Sequence, residues 1–223
     1  IIGNLGYMNE REENFTPVYA LNINNFKIEQ ILTHGENPGW IYNHRAILSI
    51  DKKSIKIVGG EIQSKNNLEN IEEWQLDLET YEWTQLTNKR WKRWSIQRKD
   101  RQLNHLWEIR QALYCLNASW ESSDKEIETL RKALGYSIDV TMVEELYQFK
   151  EIPSYKELPE GEEYNIYRIS INNVTIKFKE SSYNIIATIE GELDNKIIEA
   201  IQESFLQKIS KLENCAYILE THV

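Results

Sequence analysis

The sequence predicts an α+β protein: antiparallel sheet over residues 1–88, a helical segment over 89–150 and a small β-β-β-α-β unit over 151–223. Three observations predict it. Between Trp40 and Leu86, short segments of alternating apolar residues (GWIYNHRAILSI, KSIKIVGGEI, EEWQLDLETYEWTQL) are separated by turn residues, the pattern of a four-stranded antiparallel unit. From Arg98 to Phe149 the apolar period lengthens to three and four residues, which is helical. Beyond residue 163, three alternating stretches precede one long amphipathic stretch and a last apolar strand.

In chain order, Ile1-Ile2 and the alternating run from Val18 to Ile23 read as strands. Asn24-Asn25 is expected to make a hairpin turn, because Asn tolerates the left-handed backbone that tight turns require. Phe26–Leu32 is the return strand, and Gly35, Pro38 and Gly39 mark the turn that follows. His34 and His44 lack companions at metal-ligand spacing, so His44 reads as a structural residue at a strand start.

The strand containing Ile55, Ile57 and Val58 ends in Gly59-Gly60, and the later hairpin carries Asp77, Thr80 and Trp83 as D-x-x-T-x-x-W. This resembles the kelch repeat, one blade of a β-propeller. Internal similarity points the same way. Ile1-Ile2-Gly3-Asn4 aligns with Ile57-Val58-Gly59-Gly60 at an offset of 56, and Tyr19–Ile23 aligns with Trp74–Leu78 at an offset of 55. The second offset also sets Phe26 on Tyr81 and Ile28 on Trp83. A kelch period is about 50 residues, so the resemblance implies about two blades and no closed propeller. The first is the degenerate copy, beginning in mid-blade; with a first residue that is not Met, this suggests the C-terminal part of a longer protein. Trp74 and Trp83 are expected to be cross-strand neighbours on the two arms of one hairpin.

After Leu86 the character changes. Residues 88–101, NKRWKRWSIQRKDR, carry seven of the 26 Lys and Arg against one acid. Docking on the protein's own acidic surface or a solvated linker is the favoured reading, ahead of partner docking through Trp91 and Trp94. Nucleic acid is least favoured, since a net charge of −9 repels it. A first helix then carries Leu103, Leu106, Trp107, Arg110, Leu113 and Tyr114 on one face. Ser123-x-x-Glu126 and Thr141-x-x-Glu144 read as capping boxes opening a second and a third helix, the second ending at Gly135. His105, beside the first apolar stripe, reads as structural.

Residues 151–163, EIPSYKELPEGEE, read as a linker. Strands follow over 164–171, 174–179 and 184–190, then a helix capped by Asp194 and a last strand over 215–219. In such an order the helix covers one face of an antiparallel sheet.

Composition is that of an ordinary globular protein, and no apolar run approaches the roughly 20 residues that span a bilayer. Cys115 and Cys215, 100 residues apart, read as reduced core thiols of a cytoplasmic protein, with a single disulfide left open. No G-x-S-x-G, H-E-x-x-H, phosphate-cradling glycine run or G-x-G-x-x-G occurs, and neither a cofactor nor a metal is expected. Kelch enzymes such as sugar epimerases and copper radical oxidases build their sites at the hub of a closed ring, which two blades cannot form. The chain therefore reads as a non-enzymatic protein-binding protein, by its acidity and size like an immunity protein that neutralises a basic toxin domain. Its expected contacts are Glu160, Glu162 and Glu163 with Trp91 and Trp94, without nucleic acid or membrane. The second reading is the C-terminal part of a kelch-propeller carbohydrate-active enzyme.

Overall fold

The computed structural model describes residues 1–7, 9, 11, 12, 14–63, 68–110, 128, 132, 139–159 and 165–222. These fall into two compact units, Ile1–Lys89 and Arg90–Val223. The boundary lies within one residue of the expected end of the sheet region. The second expected boundary, between residues 150 and 151, falls inside the second unit.

The first unit opens with Ile2 bridged to Val18 in β1 (Val18–Leu21), which pairs antiparallel with β2 (Ile28–Ile31). The Asn22 side chain accepts the Asn24 N–H at 2.9 Å, and Phe26, not an asparagine, takes the left-handed conformation at φ 57°. The expected turn is thus in place, with a different residue bearing its positive φ. After β3 (His34–Gly35) come β4 (Ile41–Tyr42), β5 (Arg45–Leu48), β6 (Ser54–Val58), β7 (Glu61–Ile62), β8 (Leu68–Glu69), β9 (Trp74–Asp77) and β10 (Glu82–Gln85). Strands β5, β6, β9 and β10 form the four-stranded antiparallel meander expected from the alternation, with β3 added in parallel beside β10. Strands β4, β7 and β8 form a separate small sheet, so among the described residues no barrel or propeller closes.

The internal similarity has a structural counterpart. Val18 opposes Ile31 in the first hairpin, and Leu76 opposes Trp83 in the second, so both hairpins have one register at an offset of 55. Asp77 accepts the Glu79 N–H at 2.8 Å as Asn22 accepts that of Asn24, and Tyr81 adopts φ 61° as Phe26 adopts 57°. Gly3 and Gly59 also match, at φ 61° and 63°. Gly60 is required on a second ground: a Cβ there would lie 2.6 Å from the Tyr42 carbonyl oxygen. Trp74 opposes Gln85 while Trp83 opposes Leu76, so the two indoles are diagonal neighbours on one face. That face, with Ile57, forms the core of the first unit together with Val18 and Ile41.

In the second unit, residues 90–101 depart from expectation. Residues 93–98 are neither linker nor helix but β11 (Arg93–Arg98), an inner strand of a six-stranded sheet. Alternation explains it: Trp94 and Ile96 enter the core while Arg93, Ser95 and Gln97 take the other face, a period masked in the sequence by the density of charge. Residues 106–110 are helical; of the expected second helix, Glu128 and Lys132 are helical, while Ser123, Glu126, Ile127, Leu130, Leu134 and Gly135 lie outside the described residues. Helix α1 (Val140–Glu144) is capped by Asp139, whose side chain accepts the Thr141 N–H at 3.0 Å, so Thr141 stands inside the helix instead of capping it.

The expected linker supplies an edge strand, β12 (Tyr155–Glu157). Then come β13 (Ile166–Ile171), β14 (Val174–Glu180), β15 (Asn184–Glu190), α2 (Asn195–Leu212) and β16 (Tyr217–His222). Asn172 and Asn173, at φ 51° and 64°, make the two-residue turn between β13 and β14. The expected β-β-β-α-β order holds, but as a sheet it is incomplete: β16 pairs with β11 alone, and β11 with β15. Helix α2 turns Ile198, Ile201, Phe205, Ile209 and Leu212 onto the sheet, where Phe205 stacks on Phe178 at 5.6 Å between ring centroids.

Candidate functional site

Of the residues singled out for partner contact, Glu160, Glu162 and Glu163 lie outside the described residues. Trp94 is 1% exposed, its ring edge-on to Phe178, so its indole fills the core and offers a partner no surface. Trp91 is half-buried just before β11. Neighbouring Arg90 and Lys92 line a cleft of about 400 Å³ with Glu192, Leu193, Asp194 and Asn195, where Lys92 Nζ donates to Asn195 Oδ1 at 2.5 Å. Cations and carboxylates share this cleft, so it selects neither charge. Of the other cations in the stretch, Arg98 pairs with Asp100 at 2.7 Å and with Glu213 at 3.4 Å, and Arg93 lies in the sheet. Arg168, Lys177, Thr188 and Arg93 are register partners across four adjacent strands, on the face opposite Ile169, Phe178, Ala187 and Trp94, with Lys177 and Thr188 buried.

The described carboxylates of the second unit cluster differently. Glu144 and Glu145 at the end of α1, Glu151 beyond it, and Glu199 and Glu203 on α2 are all exposed. Ser204 donates to Glu151 Oε1 at 3.0 Å, which ties the segment after α1 to the side of α2. Lys208 sits within this edge, its ammonium 4.8 Å over the Phe149 ring. Burial lowers its pKa, while Glu151 and Glu145 pull it upward.

Beneath that edge lies a buried polar group. The Tyr147 hydroxyl donates to Glu180 Oε1 at 2.5 Å, and Arg110 Nη2 stands 3.7 Å from the same oxygen. The Arg110 guanidinium also lies 4.3 Å over the Tyr167 ring, which stacks on Tyr147 at 4.3 Å. Burial pushes the Glu180 carboxyl above its ordinary range, against the opposing pull of Arg110 and the Tyr147 hydroxyl. Burial likewise drives the Tyr147 hydroxyl well above the usual phenol value, with the Glu180 charge acting in the same sense. Only one sequence signal reaches this group: alternation in VTIKFKE sets Glu180 on the face of Ile176 and Phe178. Nothing in the sequence brings Tyr147 and Arg110 to it, since their partners stand 33 and 70 residues away.

The other candidates are placed as follows. His44 is half-buried, and burial lowers its pKa. His105 faces Glu108 at 3.0 Å. Cys215 keeps a free thiol whose pKa is raised by burial, and Cys115 lies outside the described residues. Among the described residues no three His, Cys, Asp or Glu side chains gather at metal-holding distance, and no helix is long and apolar enough to cross a membrane. No protein-family model, no curated protein and no solved structure matches this chain.

Proposed function

We propose that this is a non-enzymatic, cytoplasmic protein-binding protein whose partner is basic, in the manner of an immunity protein that neutralises a toxin domain. The observation that carries the reading is the exposed edge of Glu144, Glu145, Glu151, Glu199 and Glu203. It lies in a region, residues 102–223, with 21 Asp and Glu against 12 Lys and Arg. An acidic surface, here with Lys208 inside it, steers an oppositely charged partner, raising encounter rates by factors of roughly 10–1000 that fade with salt. The matched hairpins of the first unit support reading residues 1–88 as two kelch-like, β-propeller-like blades. The test is capture of the partner from the native host, then association rates at two ionic strengths for the wild type and for the Glu199→Lys, Glu203→Lys double variant. On-rates should fall with salt and with charge reversal while dissociation changes little. A tight partner whose on-rate ignores both, or a purified protein that turns over sugars unaided, would refute the proposal.

A further inference from the structure

The two hairpins of the first unit share a register but not a cover. Ile57, Leu76 and Trp83 on one face of the second repeat are 0%, 0% and 2% exposed, whereas their equivalents Ile1, Leu21 and Ile28 are 67%, 47% and 57% exposed. What covers the second repeat is the opposite face of the first: Val18 and Ile31, register partners, lie in one cluster with Ile57, Trp74, Leu76 and Trp83. Repeats bury their apolar faces against neighbours, so the uncovered face of the first repeat calls for a surface like the one that the first repeat gives the second. The need runs in one direction only. At the positions equivalent to Val18, Ala20 and Ile31 the second repeat has Glu73, Gln75 and Leu86, and Glu73 pairs with Lys56 at 2.5 Å. That face is mostly polar, with Leu86 its exposed apolar member, unlike the aliphatic face that the first repeat turns to the second.

We infer that the face formed by Ile1, Leu21 and Ile28 seats a further β-repeat of the same type, laid on the first repeat in the sense in which the first lies on the second. The occupant presents short aliphatic side chains, as Val18 and Ile31 do. A second copy of this chain does not fit. Its Val18–Ile31 surface is engaged by its own second repeat, and its Glu73–Gln75 surface would bury a carboxylate and an amide against aliphatic groups without partners. The surface is separate from the acidic edge of the second unit, so its test and that of the proposed function succeed or fail independently.

Residue 57 is the equivalent of residue 1, so appending a second copy of residues 1–56 directly ahead of Ile1 of the full chain continues the period. Hydrogen exchange over residues 18–31 of the original repeat is expected to slow by about tenfold or more as that hairpin becomes an interior layer. Leu21→Asp with Ile28→Asp in the original repeat should abolish this protection, and should shift the denaturation midpoint far more in the extended chain than in the unextended one. Unchanged exchange over 18–31 overturns the inference, whether or not the appended copy folds, and so does protection that survives both aspartates. Concentration-dependent self-association of the unextended chain that protects 18–31 would make a second copy the occupant and overturn it as well.

Discussion

Trp83 carries a large share of the first unit's core, being 2% exposed, diagonal to Trp74 and bonded through its indole N–H to Thr33 Oγ1 at 3.2 Å. Its replacement by Ala removes an indole that neighbours cannot refill, so Trp83→Ala should cost about 3–5 kcal/mol in denaturant melts. Phe26 is the opposite case: exposed, and held at a left-handed φ of 57°. Phe26→Asn gives up little packing and relieves a backbone cost of roughly 1 kcal/mol, so the denaturation midpoint should rise. Glu180 makes stability depend on pH with an unusual sign. Its carboxyl is raised in the fold, so its contribution is present in full below the ordinary carboxylate pKa and is lost as pH rises through the raised value. The stability difference between wild type and Glu180→Gln, followed by urea melts from pH 4 upward, should therefore fall as pH increases.

Elements were legible in the sequence where one periodicity spoke alone. The meander of β5, β6, β9 and β10 and the helix α2 follow their apolar spacing closely, and Asp194 caps where its side-chain chemistry says it should, accepting the Lys196 N–H at 2.8 Å. Strand β11 was illegible because it lies in a stretch with seven cations in fourteen positions, which read as a solvated run. Its place is fixed instead by partners far along the chain, which no local pattern reveals. The acidic edge was legible only as net charge: its carboxylates are gathered by the packing of α1 against α2, and the buried group of Tyr147, Glu180 and Arg110 by strand and helix contacts of the same kind. The apolar face of the first hairpin was hidden for another reason. Alternation shows that a face is apolar, and its burial depends on what lies against it.

At the scale of the molecule, the second unit is built around β11, so the sheet of residues 151–223 is not self-sufficient. Residues 90–223 expressed alone should melt in one cooperative transition, as followed by circular dichroism. Residues 151–223 alone leave β15 and β16 without the strand between them and should show none. The same insertion sets the order of events during synthesis. Gln97 of β11 bonds Glu220 of β16, 123 residues further on. At roughly 5–20 residues per second, β11 leaves the ribosome roughly 6–25 s before its last partner is made. Until β15 is made both edges of β11 are open to pairing with other nascent chains, and one edge stays open until β16 follows; the arginines and lysines that disguise β11 as a linker are the residues that keep such chains apart.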